Sequence, residues 1–331
     1  MTETDGGIGS RAPLATVFGG SGFVGRYAVR ALAKRGWRVR AAVRRPDLAG
    51  HLQVMGFPGQ VHPVQANVRH ADSVAAAVDG ATAVVNLVGI LAASGKQTFE
   101  ALQTEGARNI ANAAAAEGVQ QVVQVSAIGA DASSEARYAK TKAEGEQAVL
   151  DACPDAVILR PSIVFGPEDE FFNRFAQMAT VSPVLPLIGG GNTRFQPVYV
   201  GDVAEAIARC CEGQAKPGTT YELGGPEIAS FKRLLERTLE WSGWDRGFVS
   251  LPFGFAKLSA LMTKPLPGGL RPMTVDQVRM LESDNVVSKA AVDDGRTLAG
   301  LGIDAPAALG SIVPQYLERF QPRGQFSHYR G

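Results

Sequence analysis

A short apolar run followed by three glycines at three-residue spacing constrains the fold of this chain more than any other feature. Residues 14–18 precede Gly19, Gly22 and Gly25, and apolar residues recur at helical period from Phe23 onward. This order predicts a strand, a tight turn and a helix. Because glycine has no side chain, the turn lets backbone N–H groups approach a phosphate closely, and the helix N-terminus favours its negative charge.

The glycine turn supports two interpretations. Tight strand-to-helix turns that bind nothing also contain glycines, whereas a dinucleotide-binding turn uses them to hold a pyrophosphate. No Lys followed by Ser or Thr comes after the turn, which argues against a mononucleotide P-loop. On the dinucleotide interpretation, the candidate cofactor contacts are Gly19, Ser21, Gly22, Phe23, Val24 and Gly25.

Two arginines follow the second predicted strand and bear on which dinucleotide binds. In this layout the residue at the end of that strand meets the adenosine ribose, where an acid selects NAD and an arginine accommodates the 2′-phosphate of NADP. The strand, residues 39–43, is followed by Arg44 and Arg45, and the nearest acid, Asp47, comes later. The arginines therefore favour NADPH, although solvated surface charges would give the same pattern.

The composition narrows the class of partner. The chain has 331 residues, and 33 Lys and Arg against 32 Asp and Glu give a net charge of +1, so we expect no nucleic-acid binding. Three cysteines and four histidines show no metal-ligand spacing, which predicts no metal site and suits a reducing compartment. No run reaches the roughly 18 apolar residues of a membrane span, so we expect any membrane contact to be peripheral.

Further apolar runs alternate with helical patterns and occupy residues 61–64, 83–88, 122–125 and 156–159. This alternation predicts an α/β fold with a Rossmann-type doubly wound parallel sheet. Ligands lie beyond the carboxyl ends of such strands. The candidate cofactor contacts there are Asn67, Val68, Leu87, Val88, Gly89, Ser126, Pro161 and Ile163. A turn-capping role explains Asn67 equally well.

A tyrosine and a lysine four residues apart form the candidate active site. Helical spacing places Tyr138 and Lys142 on one face, one turn apart, and Ser126 ends the strand before them. A nearby ammonium favours tyrosinate, so we expect Lys142 to lower the phenol pKa and to suit Tyr138 to acid–base work at a carbonyl. An amphipathic helix with an incidental Tyr and Lys would show the same spacing.

Together these residues resemble the extended short-chain dehydrogenase/reductase superfamily, whose members carry GxxGxxG, an upstream Ser and YxxxK. The resemblance covers residues 14–321 and implies that Tyr138 transfers the proton, Lys142 binds the nicotinamide ribose and assists the tyrosine, and Ser126 orients substrate. One departure is Gln103, in the predicted long helix of residues 98–117, where active members usually have an Asn that helps a proton relay. The longer amide is expected to misplace a bound water, so that the three site residues are vestigial and binding persists without turnover.

Three longer segments are similar to a narrower family, the NADPH-binding accessory subunits of respiratory complex I (subunit nine of the mitochondrial alpha subcomplex and its alphaproteobacterial counterparts). They are RPSIVFGPEDEFFNRFA at 160–176, FQPVYVGDVAEAI at 195–207 and PMTVDQVRMLESDNVVS at 272–288. The resemblance implies a tightly bound NADPH that serves structure, and complex I subunits of the hydrophilic arm near the membrane and quinone site as partners. It also implies a peripheral location on the cytoplasmic face of the bacterial inner membrane, or on the matrix side in mitochondria.

The chain divides into four predicted parts. These are a flexible arm at 1–12, an NADP-binding domain at 13–167, a smaller C-terminal α/β domain at 168–320 interleaved with strands that return to the sheet, and an extended tail at 321–331. Residues 248–266 form an amphipathic stretch that either packs in the small core or lies on a partner or bilayer.

Polar residues of the second half receive two further interpretations. Glu168, Asp169 and Glu170 are interpreted as a solvated acidic loop. Asp202 is predicted to be the N-cap of a helix that runs through Cys210.

Three functions fit the sequence. The leading hypothesis is an NADPH-binding accessory subunit, motivated by Arg44 with Arg45, by Gln103, and by the segment 272–288. The alternative is a catalytic NADP-dependent reductase or epimerase that uses Tyr138. A redox-sensing scaffold that reports NADP(H) occupancy is the third.

Overall fold

The computed structural model describes residues 12–262 and 273–322, so the predictions for residues 1–11, 263–272 and 323–331 lie outside the described residues. The strands are β1 (Leu14–Phe18), β2 (Arg38–Val43), β3 (Val61–Gln65), β4 (Ala83–Asn86), β5 (Gln121–Val125), β6 (Val157–Pro161), β7 (Val164–Phe165), β8 (Val184–Ile188), β9 (Arg194–Phe195), β10 (Val198–Tyr199), β11 (Thr220–Leu223), β12 (Ala229–Ser230) and β13 (Gly247–Leu251). The α-helices are α1 (Phe23–Lys34), α2 (Ala71–Val78), α3 (Glu105–Glu117), α4 (Arg137–Ala152), α5 (Phe172–Val181), α6 (Val200–Cys211), α7 (Phe231–Ser242), α8 (Phe253–Met262), α9 (Val275–Met280), α10 (Lys289–Asp293) and α11 (Leu309–Leu317).

Seven strands form one parallel sheet in the order β11-β6-β5-β4-β1-β2-β3. The chain adds β2 and β3 on one side of β1 and then returns to add β4, β5 and β6 on the other, which makes the sheet doubly wound. Every residue of β1 and β4 is buried, as parallel strands covered on both faces require. The predicted Rossmann-type α/β fold is therefore confirmed.

Helices cover the sheet on both faces and bury one apolar cluster on each. The first cluster joins Leu32 of α1 and Ile207 of α6 to the central strands. The second joins Ile110 of α3 and Val149 of α4 to the opposite face of the same strands. Since β11 and α6 come from the second half of the chain, that half returns to complete the large sheet.

The conformation of the turn after β1 requires residues without side chains. Gly19 has φ +79°, a left-handed conformation that other residues rarely adopt, and its carbonyl accepts the Gly22 N–H at 3.0 Å. A Cβ built on Gly25 would lie 2.1 Å from that same carbonyl oxygen. Helix α1 therefore packs onto the turn only because residue 25 has no side chain.

The predicted long helix of residues 98–117 is interrupted. Residues Glu100–Thr104 form a π-helical turn, and the regular α-helix begins only at Glu105. The bulged backbone has room because it faces a glycine of α4: a Cβ on Gly145 would lie 2.1 Å from the carbonyl oxygen of Gln103. Such wide turns occur often at functional sites, and this one contains Gln103.

Aromatic side chains form much of a third apolar cluster, which lies in the second half of the chain. Phe175 of α5 packs with Phe231 of α7, and Phe171 contacts both of these rings as well as Phe172 and Phe195. The ring centroids in this group are between 5.1 and 6.3 Å apart. These contacts fix α5 and α7 against each other, beside the carboxyl edge of the large sheet.

The interpretation of Asp169 as part of a solvated loop is wrong. This carboxylate is buried and accepts hydrogen bonds from the backbone N–H groups of Phe172 and Asn173 at 2.7 and 3.2 Å. It also accepts from the Tyr316 hydroxyl of α11. Asp169 therefore satisfies the first N–H groups of α5 and ties that helix to α11.

The predicted N-cap role of Asp202 is also wrong. Helix α6 begins earlier, at Val200, with Tyr199 as the cap residue. The Asp202 carboxylate instead accepts the backbone N–H of Ala307 at 2.8 Å. The helix dipole still stabilises an acid in the first turn of α6. The residue type therefore suits the start of a helix, although the hydrogen-bond partner of Asp202, Ala307, lies far along the chain.

We expect Gly25→Ala to destabilise the fold by about 1–3 kcal/mol, because the new methyl group would collide with the Gly19 backbone. Urea unfolding measures this change. The matched control is Gly310→Ala, since a Cβ at that helical position would meet nothing within 4 Å. Equal unfolding midpoints for the two variants would contradict the packing that we describe.

Candidate cofactor and active site

The first turn of α1 forms an open cradle at the carboxyl edge of the sheet. Its cap residue, Gly22, is exposed and offers no side-chain hydrogen bond, so the first N–H groups of the helix lack a side-chain acceptor. A Cβ on Gly22 would contact only the Gly19 carbonyl, at 3.2 Å, which leaves open space in front of the turn. Ser21, Phe23 and Val24 lie around it, partly exposed.

The end of β4 lies directly beside this cradle. Phe18 and Asn86 are paired across β1 and β4, so both strands end at the same level. A Cβ on Gly19 would lie 3.3 Å from the backbone of Leu87 and 3.4 Å from Val88. The structure thus brings the predicted residues after β1 and β4 together, with Leu87 and Val88 partly buried.

The two arginines after β2 are not equivalent. Both are exposed, but the Arg45 guanidinium donates to both carboxylate oxygens of Asp47, at 3.0 and 2.7 Å. The Asp47 carboxylate raises the pKa of Arg45 further. Arg44 makes no side-chain hydrogen bond or ion pair with any described residue, so of the two it is the one able to bind a phosphate without giving up a partner.

The two residues predicted after β3, Asn67 and Val68, have different structural roles. The Asn67 side-chain oxygen, Oδ1, accepts the backbone N–H of Arg69 at 3.2 Å, which is the turn-capping role that the sequence allowed. Val68 is buried, and its backbone carbonyl accepts from the Asn109 side chain at 2.8 Å. Asn67 therefore shapes this rim, with its side-chain NH₂ group still available as a donor.

Ser126, Tyr138 and Lys142 lie where β5 meets α4. The Lys142 ammonium donates to the carbonyl of Val125 at 3.2 Å, and a Cβ on Gly89 would lie 3.2 Å from the same nitrogen. Ser126 is 4% exposed, and its hydroxyl has no hydrogen-bond partner. The region after β4 and β5 therefore contains a buried ammonium, that of Lys142, next to Gly89, and an unpartnered hydroxyl, that of Ser126.

The titration of this pair differs from the sequence expectation. Burial raises the pKa of the Tyr138 phenol to about 12. Burial also lowers the pKa of Lys142 to about 8, although the Glu146 carboxylate acts in the opposite direction. The expectation of a lowered phenol pKa is therefore wrong for this structure, because burial disfavours the charged tyrosinate.

Gln103 is buried with both ends of its amide bonded. Its NH₂ donates to the Ile90 carbonyl at 2.9 Å, and its carbonyl accepts the Thr141 hydroxyl at 2.8 Å. Thr141 precedes Lys142 in α4, so Gln103 links the π-helical turn to the candidate catalytic helix. The Thr141 hydroxyl therefore fixes the orientation of the Gln103 side-chain carbonyl.

Asn285 is a central residue of this edge that sequence reasoning missed. Its side-chain oxygen accepts from the Ser162 hydroxyl at 2.6 Å and from the Ile163 N–H at 3.1 Å, and its NH₂ donates to the Ile128 carbonyl at 3.1 Å. It therefore fixes the loops after β5 and β6, where Pro161 is buried and Ile163 partly buried. The only signal for it is its place in segment 272–288, because a single loop Asn indicates no partner.

The same segment also supports the start of α4. The cap residue Ala136 has no side-chain acceptor, and Asp276 of α9 instead accepts the backbone N–H of Arg137 at 3.2 Å. Arg279 of α9 donates to the Glu135 carbonyl at 2.8 Å. A carboxylate from another helix thus caps the helix of Tyr138.

The residues present fit a dinucleotide. The open space before Gly22 suits a pyrophosphate, and the unpartnered Ser126 hydroxyl, directly after β5, is a polar group that a ligand could satisfy. Over residues 12–262 and 273–322, no group of three or more His, Cys, Asp or Glu could hold a metal ion. Within the same residues, no helix has the length and apolar character needed to cross a bilayer.

Comparisons with known proteins agree with this architecture. Residues 15–224 match the model of the NAD dependent epimerase/dehydratase family. An NADPH-dependent quinone oxidoreductase of Escherichia coli, solved with NADPH, superposes with a TM-score of 0.72 over 92% of this chain and 99% of that chain, at 22% identity. At that identity the likeness shows the fold alone.

Two relatives in sequence are more informative. A ceramide reductase of Caulobacter vibrioides is 33% identical over 66% of this chain and 65% of that protein. The mitochondrial NADH dehydrogenase (ubiquinone) 1 alpha subcomplex subunit 9 of Arabidopsis thaliana is 39% identical over 86% of this chain and 75% of that protein. The chain therefore belongs to the NAD dependent epimerase/dehydratase family and, within it, to the family of complex I alpha subcomplex subunit 9.

Proposed function

We propose that this chain is an NADPH-binding accessory subunit of respiratory complex I, with a cofactor that serves structure. The observation that carries the proposal is the bonding of Gln103: its amide is held by Ile90 and Thr141 beside an open dinucleotide cradle. A proton relay needs a group free to hold water near the tyrosine. This chain keeps the means to bind the cofactor, while the amide at the relay position is held in place by two hydrogen bonds within the protein.

Each predicted cofactor contact has a distinct task in this proposal. A bound nicotinamide supplies hydride-transfer chemistry. The first N–H groups of α1 hold the pyrophosphate, Arg44 holds the 2′-phosphate, and Lys142 meets the nicotinamide ribose beside Gly89. The Ser126 hydroxyl gains its missing partner from the nicotinamide end of the cofactor. Cofactor binding would thus join the carboxyl ends of β1, β2, β4 and β5.

The proposed location is peripheral, on the cytoplasmic face of the bacterial inner membrane, with complex I subunits of the hydrophilic arm as partners. Helix α8 supports this with an apolar surface that the alternative of a core helix does not explain: its exposed residues are Phe255, Leu258, Leu261 and Met262, between 55% and 74% exposed. Lys257, the lysine of α8, forms an ion pair with Glu282. We propose that α8 contacts a partner subunit, with lipid contact at its margin.

A catalytic reductase is the second candidate, and the unpartnered Ser126 hydroxyl favours it, since that hydroxyl would also bind a carbonyl oxygen. A relative named as a reductase supports the same reading. Against it, the Gln103 amide is held by Ile90 and Thr141 at the position where active members usually have the relay Asn.

We expect Arg44→Gln to weaken NADPH binding by about tenfold or more, because a guanidinium–phosphate hydrogen bond is charge-assisted, and to leave NADH binding unchanged. Fluorescence titration of both nucleotides measures this. The matched control is Arg45→Gln, whose guanidinium is engaged by Asp47 and whose loss should matter less. Equal losses for NADH and NADPH in Arg44→Gln would contradict 2′-phosphate recognition.

NADPH affinity should fall as the pH rises above about 8, because Lys142 loses its proton there while an ordinary lysine would stay charged. The direction follows from the lowered pKa: the ammonium is present below that value and is lost above it. Titrations across this range measure the effect. Lys142→Met should bind independently of pH, whereas Lys140→Met, an exposed neighbour on α4, should behave like the parent. Unchanged pH dependence in Lys142→Met would contradict this role.

We expect Leu258→Ser combined with Leu261→Ser to reduce the complex I subunits that copurify with the tagged chain from gently solubilised membranes, with bound NADPH unchanged. The physical reason is the loss of apolar area from α8, worth about 25 cal/mol per Å². Val292→Ser, which removes another apolar side chain that is 59% exposed, is the matched control. A soluble homo-oligomer of the parent chain without respiratory subunits would overturn the proposed function.

A further inference from the structure

Arg26 lies at the rim of the glycine turn, where no sequence motif assigned it a role. It follows Gly25 in the first turns of α1, and helical side chains lean toward the N-terminus of their helix. One terminal nitrogen of its guanidinium donates to the Ser21 carbonyl at 3.5 Å. The cation is therefore placed beside the same turn whose N–H groups face open space.

Glu168 holds this guanidinium from the opposite side. One of its carboxylate oxygens accepts from Arg26 at 3.2 Å, and the other accepts the Tyr27 hydroxyl at 3.1 Å. The Arg26 and Glu168 side chains are 30% and 40% exposed, and ion pairs of this exposure contribute little to stability. The hydrogen bonds among Arg26, Tyr27 and Glu168 are therefore better explained as a means of positioning the Arg26 guanidinium than as a contribution to the stability of the fold.

The loop that carries Glu168 is itself fixed. The adjacent Asp169 is buried among the backbone N–H groups of the loop and the Tyr316 hydroxyl. A Cβ on Gly166 would lie 3.2 Å from the Phe23 ring and 2.7 Å from Val200, so the loop lies directly on the first residue of α1. The carboxylate is thus held at one place beside the cradle.

One nitrogen of the Arg26 guanidinium has no hydrogen-bond partner. Its Nε atom is buried and has no hydrogen-bond partner, while both terminal nitrogens are engaged. Buried donors of this kind are rare in native structures and indicate a missing partner. We propose that Arg26 is a ligand of the dinucleotide's pyrophosphate and that Glu168 is its positioning residue. This inference rests on the proposed cofactor binding.

The proposed role differs from that of Arg44 in what it recognises. The glycine turn offers only neutral N–H groups to the pyrophosphate, and Arg26 adds a positive charge and a planar set of donors. Both NADH and NADPH contain the pyrophosphate, so Arg26 strengthens the binding of both. Arg44 acts on the 2′-phosphate, which only NADPH carries.

The test compares Arg26→Gln, Glu168→Gln and the control Glu170→Gln, an exposed carboxylate two residues from Glu168. The dissociation constants of NADPH and NADH are measured at two salt concentrations, and melting curves check folding. Arg26→Gln should weaken both nucleotides by about tenfold and reduce the salt dependence, as loss of one phosphate-bound cation requires. Glu168→Gln should weaken both to a smaller extent, and Glu170→Gln should match the parent.

Protection by inorganic pyrophosphate gives a second readout. It should raise the melting temperature of the parent and of Glu170→Gln, and should raise that of Arg26→Gln by less at the same concentration. Parent-like affinities for both nucleotides in folded Arg26→Gln would overturn the inference, and tighter binding in Glu168→Gln would overturn the positioning role. A parent chain that binds neither nucleotide would instead overturn the proposed function.

Discussion

The contact between residue 25 and the Gly19 carbonyl is the constraint on which the rest of this site depends. A Cβ at residue 25 would come within 2.1 Å of that oxygen, so only glycine lets α1 begin after so short a turn from β1. That start presents the first N–H groups of the helix at the carboxyl edge of the sheet. The register of β1 with β4 then brings Leu87 and Val88 to the same place.

The site combines features that favour binding with features that oppose proton transfer. An open cradle and an unpartnered Ser126 hydroxyl suit a nucleotide. Burial keeps the Tyr138 phenol protonated and weakens the hold of Lys142 on its own proton, and Gln103 is bonded within the protein. A retained cofactor that joins several strand ends would stabilise the fold by mass action, as any ligand of the native state does.

Local patterns in the sequence predicted the sheet, the glycine turn and the placement of Ser126, because apolar runs and glycine spacing reflect nearby geometry. Features that depend on distant partners were not predictable in the same way. Asp169 was expected to be exposed because acidic residues precede and follow it in the sequence. It is buried instead, and the Tyr316 hydroxyl donates a hydrogen bond to its carboxylate. Asn285 holds a loop, and Asp276 caps a helix, more than a hundred residues away, and the π-helical turn depends on Gly145 in another helix.

The most direct test of a structural cofactor is to purify the chain with its partners from native membranes, denature it, and quantify the released nucleotide. The same preparation is also incubated with carbonyl substrates before denaturation. We expect stoichiometric NADPH that remains reduced after this incubation. Carbonyl-dependent oxidation of the bound NADPH, or a preparation that contains no nucleotide, would contradict a cofactor that serves structure.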